Sequence, residues 1–307
     1  MKKKKKQNRK HIGRTLTKGL LLCVLVGVGA WFFCRVVSHG TPPETPTGEH
    51  LLTVLTYNTG RMGEFKKADR NAVIRNIVDI NADIVCLQEV EVYKDKNYLT
   101  LHELKKALGE YPYTYFDFKI YNKRRQYGLA VFSRYPLIHK TTIQYASVGN
   151  ISDYCDVVVG KDTIRLFNNH LESNRLTATD LPDSLSRDGI VSSAQRINNK
   201  MEKALPTRKA QALTIRQAIT ESPYPALVVG DFNSLPTSWV YATIRGRDLQ
   251  DAFLKTSWLR LGNTYTTHHL GVRIDYVLTS KNLTPLCTEV LHLRGSDHYP
   301  LLSTISW

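Results

Sequence analysis

The tetrad Gly230-Asp231-Phe232-Asn233 closes the apolar run Ala226 to Val229. It puts a carboxylate and a carboxamide two residues apart where a buried strand ends. Side chains alternate across a strand with period two, so Asp231 and Asn233 leave an extended chain on one side. Such a pair can orient a water molecule or hold a phosphate oxygen, and Gly230 allows a close or unusual backbone path beside it. Gly-Asp and Asp-x-Asn also make ordinary strand-ending turns, so the tetrad alone leaves both readings open. Four other places support the chemical one. Asn58 ends the alternating run Leu51 to Tyr57, and Gln88-Glu89 ends Ile84 to Leu87. His170 ends Ile164 to Asn169, and Ser296-Asp297-His298 precedes the closing apolar segment Tyr299 to Ile305. Polar groups gathered from the ends of several strands are how a layered α/β scaffold builds an active site.

These stretches, with Gly128 to Arg134 and Arg273-Ile274-Asp275-Tyr276-Val277-Leu278, follow one another in an order that resembles the endonuclease/exonuclease/phosphatase superfamily of metal-dependent phosphoesterases. The resemblance covers Leu51 to Trp307 and rests most on Leu55-Thr56-Tyr57-Asn58, Asp83 to Glu89, Asn169-His170-Leu171, the tetrad and Ser296-Asp297-His298. It implies a four-layer α/β sandwich of two packed mixed β-sheets flanked by helices. It also implies phosphoester hydrolysis with Mg²⁺, or Mn²⁺ as a substitute, because a hard cation prefers oxygen ligands and keeps several waters. Glu89 is then the first metal ligand, with Asn58 beside it and Asp297 closing the site. Asp231 orients or deprotonates the attacking water, and Asn233 holds that water or a phosphate oxygen. His298 faces the phosphate and is fixed by Asp275, since a carboxylate on one ring nitrogen sets the tautomer and favours the imidazolium. His170 resembles the second histidine of the DNase I, sphingomyelinase and inositol-phosphatase branches, where it binds phosphate or assists the leaving group. Abasic-site nucleases more often carry tyrosine there, and the basic reading element they use is missing from this chain. The scaffold serves many substrates. A lipid headgroup, a soluble phosphoester and nucleic acid all stay open, as does a catalytically inactive phosphate-binding module, and no obligate protein partner is expected.

The elements that must position these residues follow from periodicity. Ala68 to Asn81, Tyr98 to Leu108 and Thr207 to Thr220, the last begun after Pro206, read as amphipathic helices packed on the sheets. Tyr111 to Phe118, followed by Lys119, Lys123, Arg124 and Arg125, reads as a half-buried hairpin with a basic turn; the alternative is a stacking surface for nucleic acid. The Ser/Thr/Asn-rich stretch 172–207 is too long for an ordinary connection and reads either as an insertion or as a lid. Arg273 reads as an ion-pair partner within the fold, Tyr127 as a phosphate contact or a core-edge tyrosine, and His268-His269 as a surface loop.

The chain has 307 residues, 42% of them hydrophobic, and a net charge of +15. Residues 1 to 40 hold ten of the 42 Lys and Arg and no acid, which leaves +5 for the remainder. The basic balance is therefore chiefly a property of the amino terminus rather than a nucleic-acid footprint. Residues 1–18 read as a basic cytoplasmic flank. Residues 19–37 read as a transmembrane anchor or a cleaved signal segment, residues 38–50 as an unpacked linker, and residues 51–307 as the catalytic domain. Nineteen residues make about 28 Å of helix, just enough to span a bilayer. The positive flank then predicts a single-pass protein with its amino terminus in the cytoplasm and its catalytic domain outside, or secreted if the segment is cleaved. Of the five cysteines, Cys23 and Cys34 lie in the apolar segment, and Cys86, Cys155 and Cys287, with neither paired spacing nor a zinc pattern, read as buried thiols.

Overall fold

The computed structural model describes residues 26–34, 36–38, 40–41, 48, 50–64, 67–145, 147–174, 180, 187–267 and 270–307. Every apolar run singled out above is a strand, because β-branched and aromatic residues bounded by polar turns fit a pleated, buried surface. Strands β1 (Leu51–Asn58), β2 (Ile84–Tyr93), β3 (Tyr113–Tyr121), β4 (Arg125–Ser133), β13 (Thr284–Val290) and β14 (Leu301–Ser306) form one sheet, in the order β13-β14-β1-β2-β4-β3. The second sheet joins β5 (Leu137–Ile143), β6 (Ile151–Val159), β7 (Asp162–His170), β8 (Ala226–Asp231), β9 (Leu249–Asp251) and β12 (Asp275–Ser280), in the order β5-β6-β7-β8-β12-β9. A short hairpin of β10 (Tyr265–Thr267) and β11 (Leu270–Val272) stands apart.

Both sheets share one plan. A central parallel pair, β1 with β2 and β7 with β8, is flanked on each side by antiparallel neighbours. A parallel pair needs a crossover, which is the helix Ala72–Ile80 in the first sheet and the long helix Arg187–Thr220 in the second. Alternation then sorts the side chains. Leu52, Val54, Ile84 and Cys86 meet Ile164, Leu166, Leu227 and Val229 between the sheets. Leu55, Tyr57, Val85 and Leu87 turn outward under Val73 and Ile77, and Phe167, Val228, Tyr276 and Leu278 turn outward under Ala212, Ile215 and Val240. Helices, sheet, sheet and helices make four layers, as expected from the sequence.

Three boundaries differ from the periodicity. The helix expected over Ala68 to Asn81 is a 3₁₀ turn, Ala68–Arg70, followed by Ala72–Ile80, because Asn71 breaks away to cap the second with its side chain on the Ile74 amide. The second helix starts at Leu101, where Thr100 and Glu103 form a reciprocal capping box. The third begins at Arg187 and runs through Pro206. Proline suits a first turn, so its position reads naturally as a start, but here the upstream turns are tied down by Lys200 to Asp180 at 2.7 Å.

The amino-terminal expectation is corrected. No helix among the described residues is long and apolar enough to cross a membrane. The single-pass, extracytoplasmic placement expected from the sequence is corrected on that finding about the described helices. Residues 26–34 are helical. Beyond them, Ser38 is buried and hydrogen-bonded to the backbone of Leu259 and Arg260, and the Gly40 amide reaches Leu254 O at 2.9 Å. The linker reading is corrected at these points too, and at the His50 amide, which donates to Trp307 O at 3.2 Å. Residues 1–25 and His268-His269 lie outside the described residues. Cys34, Cys86, Cys155 and Cys287 are free.

Gly230 is where this packing is least forgiving. Its φ is +123°, and a Cβ there would stand 2.1 Å from Asn169 O. Gly230→Ala is expected to cost at least about 2 kcal/mol, measured by chemical denaturation.

Candidate active site

The inward positions of the central strands change from apolar to polar at one end. On β1 the inward series Leu52, Val54 continues as Thr56 and Asn58; on β7 it continues from Leu166 to Asn168 and His170, and on β8 from Val229 to Asp231. Antiparallel pairing sets Asp275 of β12 opposite Asp231. Beneath them Gln88 bridges the two sheets, donating to Asn168 Oδ1 at 2.7 Å and to Thr56 Oγ1 at 3.0 Å.

Glu89 would belong to the outward series of Val85 and Leu87 if β2 ran regularly. It does not: the register shifts between Leu87 and Val90, and Glu89 has φ +54°. A bulge of this kind re-aims a side chain, and it brings Glu89 Oε1 to 3.5 Å from Asn58 Nδ2 and 3.6 Å from His170 Nε2. Asn58 also donates to Asp231 Oδ2 at 3.0 Å. The Asn233 amide donates to Asp231 Oδ1 at 2.7 Å, and its side chain reaches Leu171 O at 3.0 Å and Asp231 Oδ2 at 3.2 Å. The loop before β14 is tied in by Ser296, whose hydroxyl donates to Asn58 O at 2.8 Å. That loop delivers His298, with Nδ1 at 2.9 Å from Asp275 Oδ2 and Nε2 at 3.8 Å from Asp231 Oδ2. Asp297 stands exposed at the rim of the same cavity. All eight candidate residues named from the sequence are therefore drawn to one place.

Charge is concentrated in very little water. Burial, with Asp275 nearby, pushes Asp231 up to about 6 against the pull of the two histidines. Burial works against the His298 imidazolium, but the carboxylates of Asp275 and Asp231 outweigh it and lift the ring to about 10. His170 moves the other way: burial lowers it, so it is neutral at pH 7, and its Nε2 has no hydrogen-bond partner. Burial also raises Glu89, and Asp297 adds to the effect. Asp231, Asp275 and His298 have ligand atoms within 4.8 Å of one another, but a ring held as imidazolium by Asp275 is a poor metal ligand. The oxygens of Glu89, Asn58 and Asp297 are the donor set that suits a hard cation, and Glu89, a carboxylate destabilised by burial, is the group such a cation would relieve.

The structure gives roles to residues outside the candidate set. Thr264 Oγ1 accepts from the Ile274 and Asp275 amides, both at 3.1 Å, and so fixes the carboxylate that holds His298. Tyr265 packs on the His298 ring at a centroid distance of 4.8 Å. Arg208, buried on the long helix, donates to Glu172 O and Asn174 Oδ1 and lines the cavity with Leu205. Part of the stretch read as an insertion or lid is thus a wall of the site. Arg273 does pair with Asp251, at 2.7 Å, inside the fold.

Two cavities meet at Glu89 and Ser173. One, of about 390 Å³, holds Asp231, Asn233, His298 and Arg208. The other, of about 410 Å³, holds His170, Tyr127, Arg61 and Arg125.

Residues 55–298 match the model of the Endonuclease/Exonuclease/phosphatase family. The chain is 25% identical over 264 residues to the CCR4-Not complex 3'-5'-exoribonuclease subunit Ccr4 of Mycosarcoma maydis, covering 68% of this chain and 39% of that one. It thus spans about two fifths of that curated relative. Among solved structures it is similar to an endonuclease/exonuclease/phosphatase from Beutenbergia cavernae, with a TM-score of 0.57 and 16% identity over 84% of this chain and 72% of that one. It is similar also to the human Nocturnin catalytic domain, with a TM-score of 0.56 and 17% identity over 83% and 94%. At these identities the structural likeness speaks for the fold.

The charge pattern has a direct readout. Histidine NMR of metal-free protein should show one ring, His298, titrating near 10, and another, His170, below 6.5. The folded value of His298 lies above its unfolded one, so its contribution to stability is full below about 6.5 and is lost as pH rises through 10. Asp275→Asn should bring the His298 titration down and narrow its stability deficit relative to wild type towards pH 10.

Proposed function

The chain belongs to the endonuclease/exonuclease/phosphatase family, and on that premise we propose that it hydrolyses phosphodiesters with a divalent cation held by Glu89, Asn58 and Asp297. The observation that carries this reading is the meeting of an imidazolium and a buried carboxylate, His298 Nε2 and Asp231 Oδ2, 3.8 Å apart beside that oxygen-rich set. When bound, Mg²⁺ supplies the charge that neutralises the non-bridging oxygens. The protein's own groups do the rest. Asp231, steadied by the amides of Asn58 and Asn233, orients a water and takes its proton. His298, kept charged and aimed by Asp275, donates to a phosphate oxygen as charge builds there. His170, neutral and with a free ring nitrogen, offers a second hydrogen bond to the phosphate.

A diester fits better than a monoester because the cavities on either side of Glu89 leave room for a substituent at each end of the scissile phosphate. A second reading, a nuclease, is favoured by the same two-sided cleft together with the match to an exoribonuclease subunit.

Turnover of bis(p-nitrophenyl) phosphate should stop in chelator and return with Mg²⁺ or Mn²⁺; full turnover in excess chelator would sink the proposal. Asp231→Asn should lower kcat by roughly 10²- to 10⁴-fold, and Glu89→Gln should raise the Mg²⁺ concentration needed for half-maximal rate. Because Asp231 must be ionised and His298 protonated, kcat/KM should rise through about 6 and fall towards 10. Bound Mg²⁺ shifts the acid limb lower, since a cation favours the carboxylate.

A further inference from the structure

The proposed reaction site takes up one end of the second sheet, and the other end of the same strands carries a different set of charges. β12 begins at Asp275, paired with Asp231, and ends at Ser280, paired with Leu249 of β9. That length of strand separates the two ends by roughly 17 Å. Around Ser280 lie two cavities, of about 500 and 730 Å³, which share Arg247 and Lys281. Arg245 and Lys255 also line the first, and Arg216 the second.

The sequence Arg245-Gly246-Arg247-Asp248 builds this cluster. Gly246 ends the helix Trp239–Arg245 at φ +57° and ψ −149°, a conformation that residues with a side chain avoid. Its missing side chain also leaves room, since a Cβ there would stand 2.6 Å from Arg216 Nη1 and 2.7 Å from Asp248 Oδ1. Through that space Arg216, on the long helix, reaches Asp248 at 2.8 Å. The other acid on these walls, Asp251, is held by Arg273 and by the Tyr241 hydroxyl, both at 2.7 Å. Both carboxylates are therefore occupied. Among the described residues Arg245, Arg247, Lys255 and Lys281 form no ion pair, and Arg245 Nε is buried without a hydrogen-bond partner. Like charges gathered around one concavity repel one another, and a buried donor without an acceptor is costly. An anion relieves both.

We propose that this end of the sheet binds a compact polyphosphate, an anion of two or more linked phosphates, in the cavities joined at Arg247 and Lys281. Cations shared between two adjoining cavities, with Arg245 and Lys255 beyond them on one side, suit more than a single phosphate. The aromatic ring lining the first cavity, Tyr241, is only 1% exposed, so it offers no open face on which a base could stack. Recognition is then of the phosphates alone, whether they come as free pyrophosphate or as the tail of a nucleotide. The site stands independently of the proposed hydrolysis, because none of its residues reaches the Asp231 end of the strands.

The test is calorimetric titration of full-length protein in chelator with pyrophosphate, inorganic phosphate, ADP and a short oligothymidylate. Pyrophosphate should bind roughly tenfold or more tightly than inorganic phosphate, and Arg247→Gln combined with Lys281→Gln should weaken it roughly 10- to 100-fold. Both residues are exposed, so the double variant folds, which its melting curve without ligand checks. Lys105→Gln combined with Lys106→Gln removes two exposed charges outside these cavities and should leave the affinity within about twofold. Equal losses in the two double variants would reduce the effect to net charge and overturn the site. Affinity that falls in His298→Gln but holds in the Arg247 and Lys281 variant would put the anion in the proposed reaction site and overturn it too. The proposal also fails if pyrophosphate does not bind at millimolar concentration, or if inorganic phosphate binds as tightly. ADP binding as tightly as pyrophosphate supports recognition of phosphates alone, whereas a tenfold gain for ADP overturns that and assigns the site to a nucleotide. Oligothymidylate binding that depends on Arg247 and Lys281, with none of pyrophosphate, would make this surface a nucleic-acid contact and overturn the compact ligand.

Discussion

Two sheets packed face to face leave each strand one inward series of side chains, and that series has to be dry along most of its length and reactive at one end. The change comes within a single step of the pleat, from Val54 to Thr56, from Leu166 to Asn168 and from Val229 to Asp231. Because the alternation is fixed by backbone geometry, moving any one strand by a residue would turn its apolar members outward and pull its polar end out of the site together. Register therefore ties the core and the chemistry to each other. The Gln88 to Asn168 bond at the boundary satisfies polar atoms between the layers where water is excluded.

Above that boundary the arrangement is held by opposed charges. Asp231, Asp275 and Glu89 crowd together with one charged imidazole and one neutral one, and burial makes each uncompensated charge costly. Asp275 spends its charge on His298, and Asp231 is shared between Asn58, Asn233 and the rings. Glu89 is left with weaker partners, at 3.5 and 3.6 Å. The same imbalance that destabilises Glu89 makes it the natural place for a cation.

Much of this was legible in the residues themselves. The strands could be read because their apolar alternation is strong, and the site residues because each sits where an apolar run stops. What period two does not encode is backbone departure. Counting along β2 sends Glu89 to the outer face, and only the bulge at φ +54° returns it. Nothing in Thr59-Gly60-Arg61-Met62 announces a left-handed turn, since the bonds that brace it come from Gln88, Glu89 and Asn71. Pro206 read as a helix start because propensity is local, whereas the turns before it are secured through Asp180. The apolar run near the amino terminus read as a membrane span by composition, yet the described chain turns back onto the domain at Ser38.

The return of the chain to its first sheet has a consequence during synthesis. β1 is completed only by β14, with Leu51 opposite Ser306, and His298 lies on the connection just before that strand. A ribosome that has made everything through β12 has built the second sheet, but it has left β1 with an open edge and the site without its imidazolium. Late pairing across nearly the whole sequence is slow to form, and an open edge invites unwanted partners meanwhile. The same order withholds the His298 ring from Asp275 and Asp231 until the last strand has paired, so the exposed edge and the unfinished site arise from one topology.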